Sequence, residues 1–135
     1  MKIKAIIEKG SDGLYSVYSD GMIGRHGFGG FGSSVVEAKE DFEESIKEAQ
    51  KLSIGDGTSV PDDYAVEYAY DIPSLFGYLD YFNISKFAEF AGINESKMRA
   101  YKAGLAFPGE RTMRKSEAAI SRIEQQLHSV SLSTK

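Results

Sequence analysis

The chain has 135 residues, which is enough for one ordinary domain or for two very small ones. It contains no cysteine, so disulfides, thiol catalysis and zinc sites built on thiolates are excluded. No apolar run approaches the roughly 20 residues that span a bilayer, and the opening MKIK lacks the apolar region of a signal peptide. We therefore expect a soluble, cytoplasmic protein without a membrane partner.

The charge is distributed unevenly along the chain. Residues 1–80 contain seven Lys and Arg against fifteen Asp and Glu, a net charge of −8. Residues 81–135 contain nine Lys and Arg against five Asp and Glu, a net charge of +4. This difference predicts two functional parts, of which the second is suited to a polyanionic partner.

Two strands are predicted near the start of the chain. Alternating apolar and polar residues indicate strands at 2–8 and 14–18. Between them, the Asp12-Gly13 step is typical of a hairpin turn. A glycine-rich stretch then extends from residue 21 to residue 32.

The sequence SVVE at 34–37 is a capping box and predicts the start of an amphipathic helix that ends near residue 51. A further strand is predicted at 64–71. The first part is therefore expected to be an antiparallel sheet covered by one helix, in the order β-β-β-α-β, with the third strand in the glycine-rich stretch. The apolar stripe of the helix consists of Val35, Ala38, Phe42, Ile46 and Ala49.

The second part has a helical period throughout. Pro73 suits the first turn of a short helix and marks the boundary between the two parts. A second helix is predicted to begin at a Ser85 cap and to end at Gly92, and a third to begin at an Asn94 cap. A long helix follows from about 112 to 128.

The glycine-rich stretch contains GFGGFG at 27–32, which matches the dinucleotide-binding fingerprint. The residues before it form a poor core strand and no parallel βαβ unit follows, so a loop or bulged edge strand is the favoured interpretation. We expect no cofactor and no metal. Catalysis would need converging carboxylates, and the strands offer only Glu8, Glu67 and Asp71. His26 and His128 need no role beyond a loop and a helix end.

The segment from 84 to 103 meets the requirements of a helix-turn-helix unit. Ala88 is small where two helices cross, Gly92 occupies the turn, and Asn94 caps the second helix. The buried side of both helices is expected to consist of Phe87, Ala91, Ile93, Met98 and Tyr101. A small helical bundle with a solvated cationic face is the alternative. On the favoured interpretation, the residues expected to contact DNA are Asn94, Glu95, Ser96, Lys97, Arg99, Ala100, Lys102, Arg111, Arg114 and Lys115.

Several segments resemble the HicB-type antitoxins of HicAB toxin–antitoxin systems. They are KIKAIIE at 2–8, DGLY at 12–15, FGSSVVEA at 31–38 and GINESKMRAYKAG at 92–104. The resemblance implies an α+β protein with a truncated RNase H-like domain over 1–72. It also implies a lambda-repressor-like helix-turn-helix domain over 73–130. The last residues, 131–135, are expected to be a disordered tail, since chain ends are poorly ordered unless they pack.

The same resemblance implies a non-enzymatic function in two parts. The first domain would neutralise a HicA-type toxin, an mRNA nuclease, and the second would bind operator DNA as an autorepressor. Two alternatives stay open, an orphan transcriptional regulator without a toxin and an RNase H-like nuclease. A homodimer or higher homo-oligomer is expected, because one helix-turn-helix contacts only a few base pairs. Its surface is predicted to include Ile120, Ile123 and Leu127.

Overall fold

The computed structural model describes residues 2–21, 27–52 and 63–134, which divide into two compact units, Met1–Asp80 and Tyr81–Lys135. This division coincides with the change from net negative to net positive charge along the chain. The unit 1–80 is called the sheet unit below, and the unit 81–135 is called the helical unit. The described elements are β1 (Lys2–Lys9), β2 (Tyr15–Ser19), β3 (Gly29–Gly32), α1 (Val35–Leu52), β4 (Ala65–Tyr70), α2 (Ile72–Tyr78), α3 (Ile84–Ala91), α4 (Glu95–Lys102) and α5 (Glu110–His128).

The sheet is mixed, with strand order β3-β2-β1-β4. β1 pairs with β2, and β2 with β3, in antiparallel fashion. β4 pairs with β1 in parallel, so the prediction of an all-antiparallel sheet is wrong. The reason is α1, whose 18 residues span about 27 Å and carry the chain back along the sheet before β4 begins. The predicted order β-β-β-α-β is present.

The core of the sheet unit lies between the sheet and α1. Alternate residues of β1 and β2 face the helix, and the predicted apolar stripe of α1 faces the sheet. Ala49, at the end of that stripe, is only partly buried. Burial of each large side chain contributes roughly 1.5–3 kcal/mol. The buried members are Ile3, Ala5, Ile7, Tyr15, Val17, Phe28, Val35, Ala38, Phe42 and Ile46.

The glycines of β3 allow α1 to lie directly against the sheet. A Cβ atom at Gly30 would lie 2.8 Å from the Ala38 carbonyl oxygen and 2.8 Å from Phe42 Cα. A Cβ at Gly32 would lie 2.6 Å from the backbone nitrogen of Ala38. Real Cβ atoms do not approach backbone so closely, and only glycine fits. β3 is an edge strand, as the sequence predicts, and its glycines serve helix–sheet packing.

The short helix α2 belongs to the sheet unit. The Asp71 side chain caps it by accepting from the backbone N–H of Ser74 at 2.8 Å. Its buried Ile72, Leu75 and Phe76 pack the helix onto β1, β4 and α1. The chain therefore divides after Asp80, whereas the sequence places the boundary after residue 72. Pro73 correctly marks the start of a helix, but the apolar residues after it bury against the sheet.

Lys39 of α1 lies among three tyrosine rings of the sheet unit. Its Nζ is 4.6 Å, 5.0 Å and 4.4 Å from the ring centroids of Tyr68, Tyr70 and Tyr78. Tyr70 and Tyr78 stack at 5.5 Å, and burial raises the pKa of Tyr70 to about 12. These contacts link α1 to β4 and α2 by cation–π attraction.

In the helical unit, α3 packs against both α4 and α5. The buried apolar side chains are Phe87 and Ala88 of α3, Met98 of α4 and Ala119 of α5. After α5, residues 131–134 have no regular secondary structure and are exposed.

Candidate nucleic-acid interface

Three residues form the turn between α3 and α4. Gly92 ends α3 with a φ of 72°, a left-handed conformation that glycine adopts without strain. The backbone N–H of Ile93 donates to the carbonyl of Ala88 at 2.9 Å and closes the last turn of α3. The Asn94 side chain accepts from the backbone N–H of Lys97 at 3.0 Å, so α4 begins there. The roles predicted for Gly92 and Asn94 are confirmed.

The start of α3 differs from the prediction. Asn83, not Ser85, is the cap, because Asn83 Oδ1 accepts from the backbone N–H of Lys86 at 3.0 Å. Asparagine caps helices at least as well as serine, and here it lies two residues earlier. Ser85 is therefore inside the first turn of α3, where its hydroxyl is available for a contact with α4.

The inner faces of α3 and α4 match the sequence prediction in part. Phe87 and Met98 are buried, and the small Ala88 is fully buried where the helices meet. Ile93 and Tyr101, which are also expected inside, are half-buried. The amphipathic pattern of the two helices is therefore correct, and it leaves one face of α4 outside.

The structure places the predicted DNA-contacting residues on the outer surface of the helical unit. Ala100 and Lys115 are half-buried, and the other eight are exposed. The exposed ones are Asn94, Glu95, Ser96, Lys97, Arg99, Lys102, Arg111 and Arg114.

Arg99 is engaged within the unit. Its Nη2 donates to Glu95 Oε1 at 2.8 Å and to Ser85 Oγ at 2.7 Å. The Ser85 hydroxyl donates to the same Glu95 oxygen at 2.6 Å. The hydrogen bonds from Ser85 and then from Arg99 lower the pKa of the Glu95 carboxyl. This network joins the first turn of α3 to α4. The Arg99 guanidinium, which the sequence assigns to DNA contact, is therefore already paired within its own unit.

Two more predicted phosphate contacts have partners inside the unit. Arg114 Nη1 lies 3.7 Å from Glu110 Oε2, one helical turn away and well exposed. Lys115 Nζ donates to the carbonyl of Gly92 at 3.1 Å, so it joins α5 to the end of α3. The first pair has the i, i+4 spacing that a sequence reveals. The second depends on how α5 packs, and no local pattern indicates it.

Three of the predicted cations have no side-chain partner in the part of the chain that the structure describes. The side chains of Lys97, Lys102 and Arg111 have no hydrogen-bond or ion-pair partner among residues 2–21, 27–52 and 63–134. Lys97 and Lys102 lie on the exposed side of α4, and Arg111 lies in the first turn of α5. Among the described residues, these three side chains can therefore pair with phosphates without first breaking an internal contact.

An apolar groove lies between α3 and α5. Its volume is about 240 Å³, and its apolar wall consists of Phe82, Phe87, Phe90 and Ile123. Arg122, which the sequence did not single out, lies 4.1 Å from the centroid of the Phe90 ring. Of the predicted oligomer surface, Ile120 and Ile123 are half-buried and Leu127 is 67% exposed.

The carboxylates considered for a nuclease are engaged within the sheet unit. Glu8 accepts from the Tyr18 hydroxyl at 2.6 Å, and this bond raises the pKa of Tyr18 to about 12. Glu67 pairs with Lys2 at 2.7 Å, and Asp71 caps α2. Each carboxylate therefore has a structural partner of its own. His26 lies outside the described residues.

None of the described helices is long and apolar enough to cross a membrane. Within the part of the chain that the structure describes, no group of three or more His, Cys, Asp or Glu side chains is placed to hold a metal ion.

No protein-family model, curated protein or solved structure matches this chain.

Proposed function

We propose that the chain is a DNA-binding regulator of the HicB antitoxin type. Its α3–turn–α4 segment acts as a helix-turn-helix that binds operator DNA and represses its own operon. Its sheet unit binds and neutralises a HicA-type toxin, and the chain itself is not an enzyme.

The exposed face of α4 is the observation on which the DNA-binding proposal rests. In a helix-turn-helix, the second helix enters the major groove with its N-terminal residues toward the base edges. Here α4 begins at an exposed Asn94 cap, and its first turn presents the exposed side chains of Ser96 and Lys97. Lys102 extends the positive charge along the helix. A net charge of +4 over residues 81–135 supports approach to a polyanion.

The proposal for the sheet unit is supported by its order and its charge. The order β-β-β-α-β is the one that the HicB resemblance implies for a truncated RNase H-like domain. The net charge of −8 over residues 1–80 favours a basic protein partner, because complementary charge speeds association and selects partners. A nuclease acting on RNA is a partner of that charge.

DNA binding is tested by fluorescence anisotropy with the full chain and a duplex from the region upstream of its own gene. Lys97→Ala and Lys102→Ala are each expected to weaken binding and to reduce the slope of log K against log salt by about 0.9, one phosphate contact each. Lys47→Ala, an exposed lysine of α1, is the control and is expected to leave the slope unchanged. Equal slopes for all four proteins would contradict the proposed interface.

Toxin binding is tested by co-expression with the product of a neighbouring gene that encodes a small basic protein. The two proteins are expected to form a stable complex in gel filtration. Co-expression of this chain is also expected to restore the growth that the toxin inhibits when it is expressed alone. If the chain binds DNA but no such protein, the antitoxin part of the proposal fails, and a regulator without a toxin remains.

A further inference from the structure

The loop between α4 and α5, residues 103–109, exposes two large apolar side chains. Leu105 is 84% exposed and Phe107 is 91% exposed. Apolar side chains of this size in a short connection normally pack back onto their own domain, where removing their surface from water stabilises the fold. Leaving both in water forgoes that stabilisation, and an interaction outside the unit would recover it.

The backbone holds Leu105 at the end of α4. Gly104 has a φ of 76°, and its N–H donates to the carbonyl of Tyr101 at 3.1 Å. The N–H of Leu105 donates to the carbonyl of Ala100 at 2.9 Å. These two bonds form a Schellman motif, in which the residue after the glycine usually packs against the last turn. Here the backbone bonds are made and the Leu105 side chain still points into solvent.

Phe107 is held from the other side. It precedes Pro108, which restricts its backbone to extended conformations. Gly109 then caps α5, with its carbonyl accepting from the N–H of Met113 at 3.0 Å. Both ends of the loop are therefore fixed, and little chain entropy is lost when a partner binds it.

Two cations flank the apolar residues along the sequence. Lys102 precedes the loop at the end of α4, and Arg111 follows it in α5; neither side chain has a partner among the described residues. A segment with exposed apolar side chains between two cations suits duplex DNA, which has apolar sugar rings and thymine methyl groups between rows of phosphates. Packing the same surface of a second copy onto this one would bring like charges together.

We propose that the loop 103–109 is a second DNA-contacting element, adjacent to α4. Leu105 and Phe107 pack on deoxyribose rings and thymine methyl groups beside the DNA segment that α4 enters. Lys102 and Arg111 pair with phosphates on either side. This inference rests on the proposed DNA binding by α4 and adds to it an apolar contribution that does not depend on salt.

The test measures the affinity of the full chain for the upstream duplex at several salt concentrations. Leu105→Ala and Phe107→Ala are each expected to lower the affinity about five- to tenfold at every salt concentration, with an unchanged salt slope. Lys102→Ala is expected to change the slope. Leu132→Ala is the matched control, because Leu132 is 93% exposed but lies beyond α5. It is expected to bind as the wild type does.

A duplex with deoxyuridine in place of thymidine distinguishes the two apolar sources. If the loss caused by Phe107→Ala disappears on this duplex, the contact is to thymine methyl groups. If it persists, the contact is to the sugar rings. Both results support the inference.

Three outcomes overturn it. If Lys97→Ala and Lys102→Ala weaken binding while Leu105→Ala and Phe107→Ala do not, the loop inference fails and the proposed function stands. If Phe107→Ala alters the sedimentation of the free protein but not its DNA affinity, a second copy covers the loop. If the wild type binds neither this duplex nor an unrelated one at low salt, the inference and the proposed DNA binding fail together.

Discussion

Replacing Gly30 by alanine tests the packing on which the sheet unit depends. The new methyl group would meet Ala38 O and Phe42 Cα at 2.8 Å each. Adding one methyl to a packed core costs about 1–3 kcal/mol, and the upper end applies here because backbone atoms cannot rotate away. Gly29→Ala is the matched control, since its Cβ would lie 3.6 Å from the Val17 carbonyl oxygen, an ordinary contact.

Hydrogen exchange followed by mass spectrometry measures this effect within the intact chain. A loss of about 3 kcal/mol predicts roughly 100-fold faster exchange in peptides of α1 and β1 that exchange by global opening of the sheet unit. Peptides from α5 serve as an internal reference in the helical unit. Exchange of α1 in Gly30→Ala within about twofold of that in Gly29→Ala would refute the argument that α1 needs a glycine at this position.

Three further predictions concern single contacts. Gly92→Ala is expected to lower the stability of the helical unit by about 1 kcal/mol, because alanine is strained at a φ of 72°, and urea unfolding followed by circular dichroism measures the loss. The pKa of Glu95 is lower in the folded chain than its ordinary value of 4.5. Its carboxylate therefore stabilises the fold at pH values above 4.5, and this stabilisation is lost as the pH falls through the pKa that Glu95 has in the folded chain. Glu95→Gln is therefore expected to remove that part of the acid sensitivity, and thermal unfolding between about pH 6 and pH 3 shows it. Lys39→Gln is expected to lower the free energy of unfolding of the sheet unit by roughly 0.5–1 kcal/mol more than Lys47→Gln does, because it removes a cation–π contact. Urea unfolding measures both variants, and equal midpoints would contradict the role of the tyrosine rings.

The residues of the candidate interface divide into two groups that the sequence does not separate. The predicted set contains six basic residues, and the sequence assigns all of them to the same DNA-contacting role. Packing engages Arg99 with Glu95 and Ser85, and it engages Lys115 with the Gly92 carbonyl. The side chain of Lys102 has no such partner among the described residues. The structure therefore changes which substitutions are expected to affect DNA binding and which are expected to affect stability.

Local signals determined much of the fold from the sequence alone. The α1 stripe, the Gly92 turn and the Asn94 cap each depend on residues within one or two helical turns, and all three are present in the structure. The charge change at residue 80 is a property of composition, and it coincides with the division into two units. Such features need no knowledge of distant contacts, because the responsible side chains act on their own backbone.

Only the tertiary structure decided the features that join distant segments. β4 runs parallel to β1 because α1 returns the chain along the sheet, and no residue of β4 signals that direction. α2 belongs to the sheet unit because its apolar residues bury there. Gly30 and Gly32 look like a phosphate-binding loop in the sequence, and in the folded chain the backbone of α1 occupies the space beside them. In each case, burial across many residues outweighs the local preference that a sequence pattern reports.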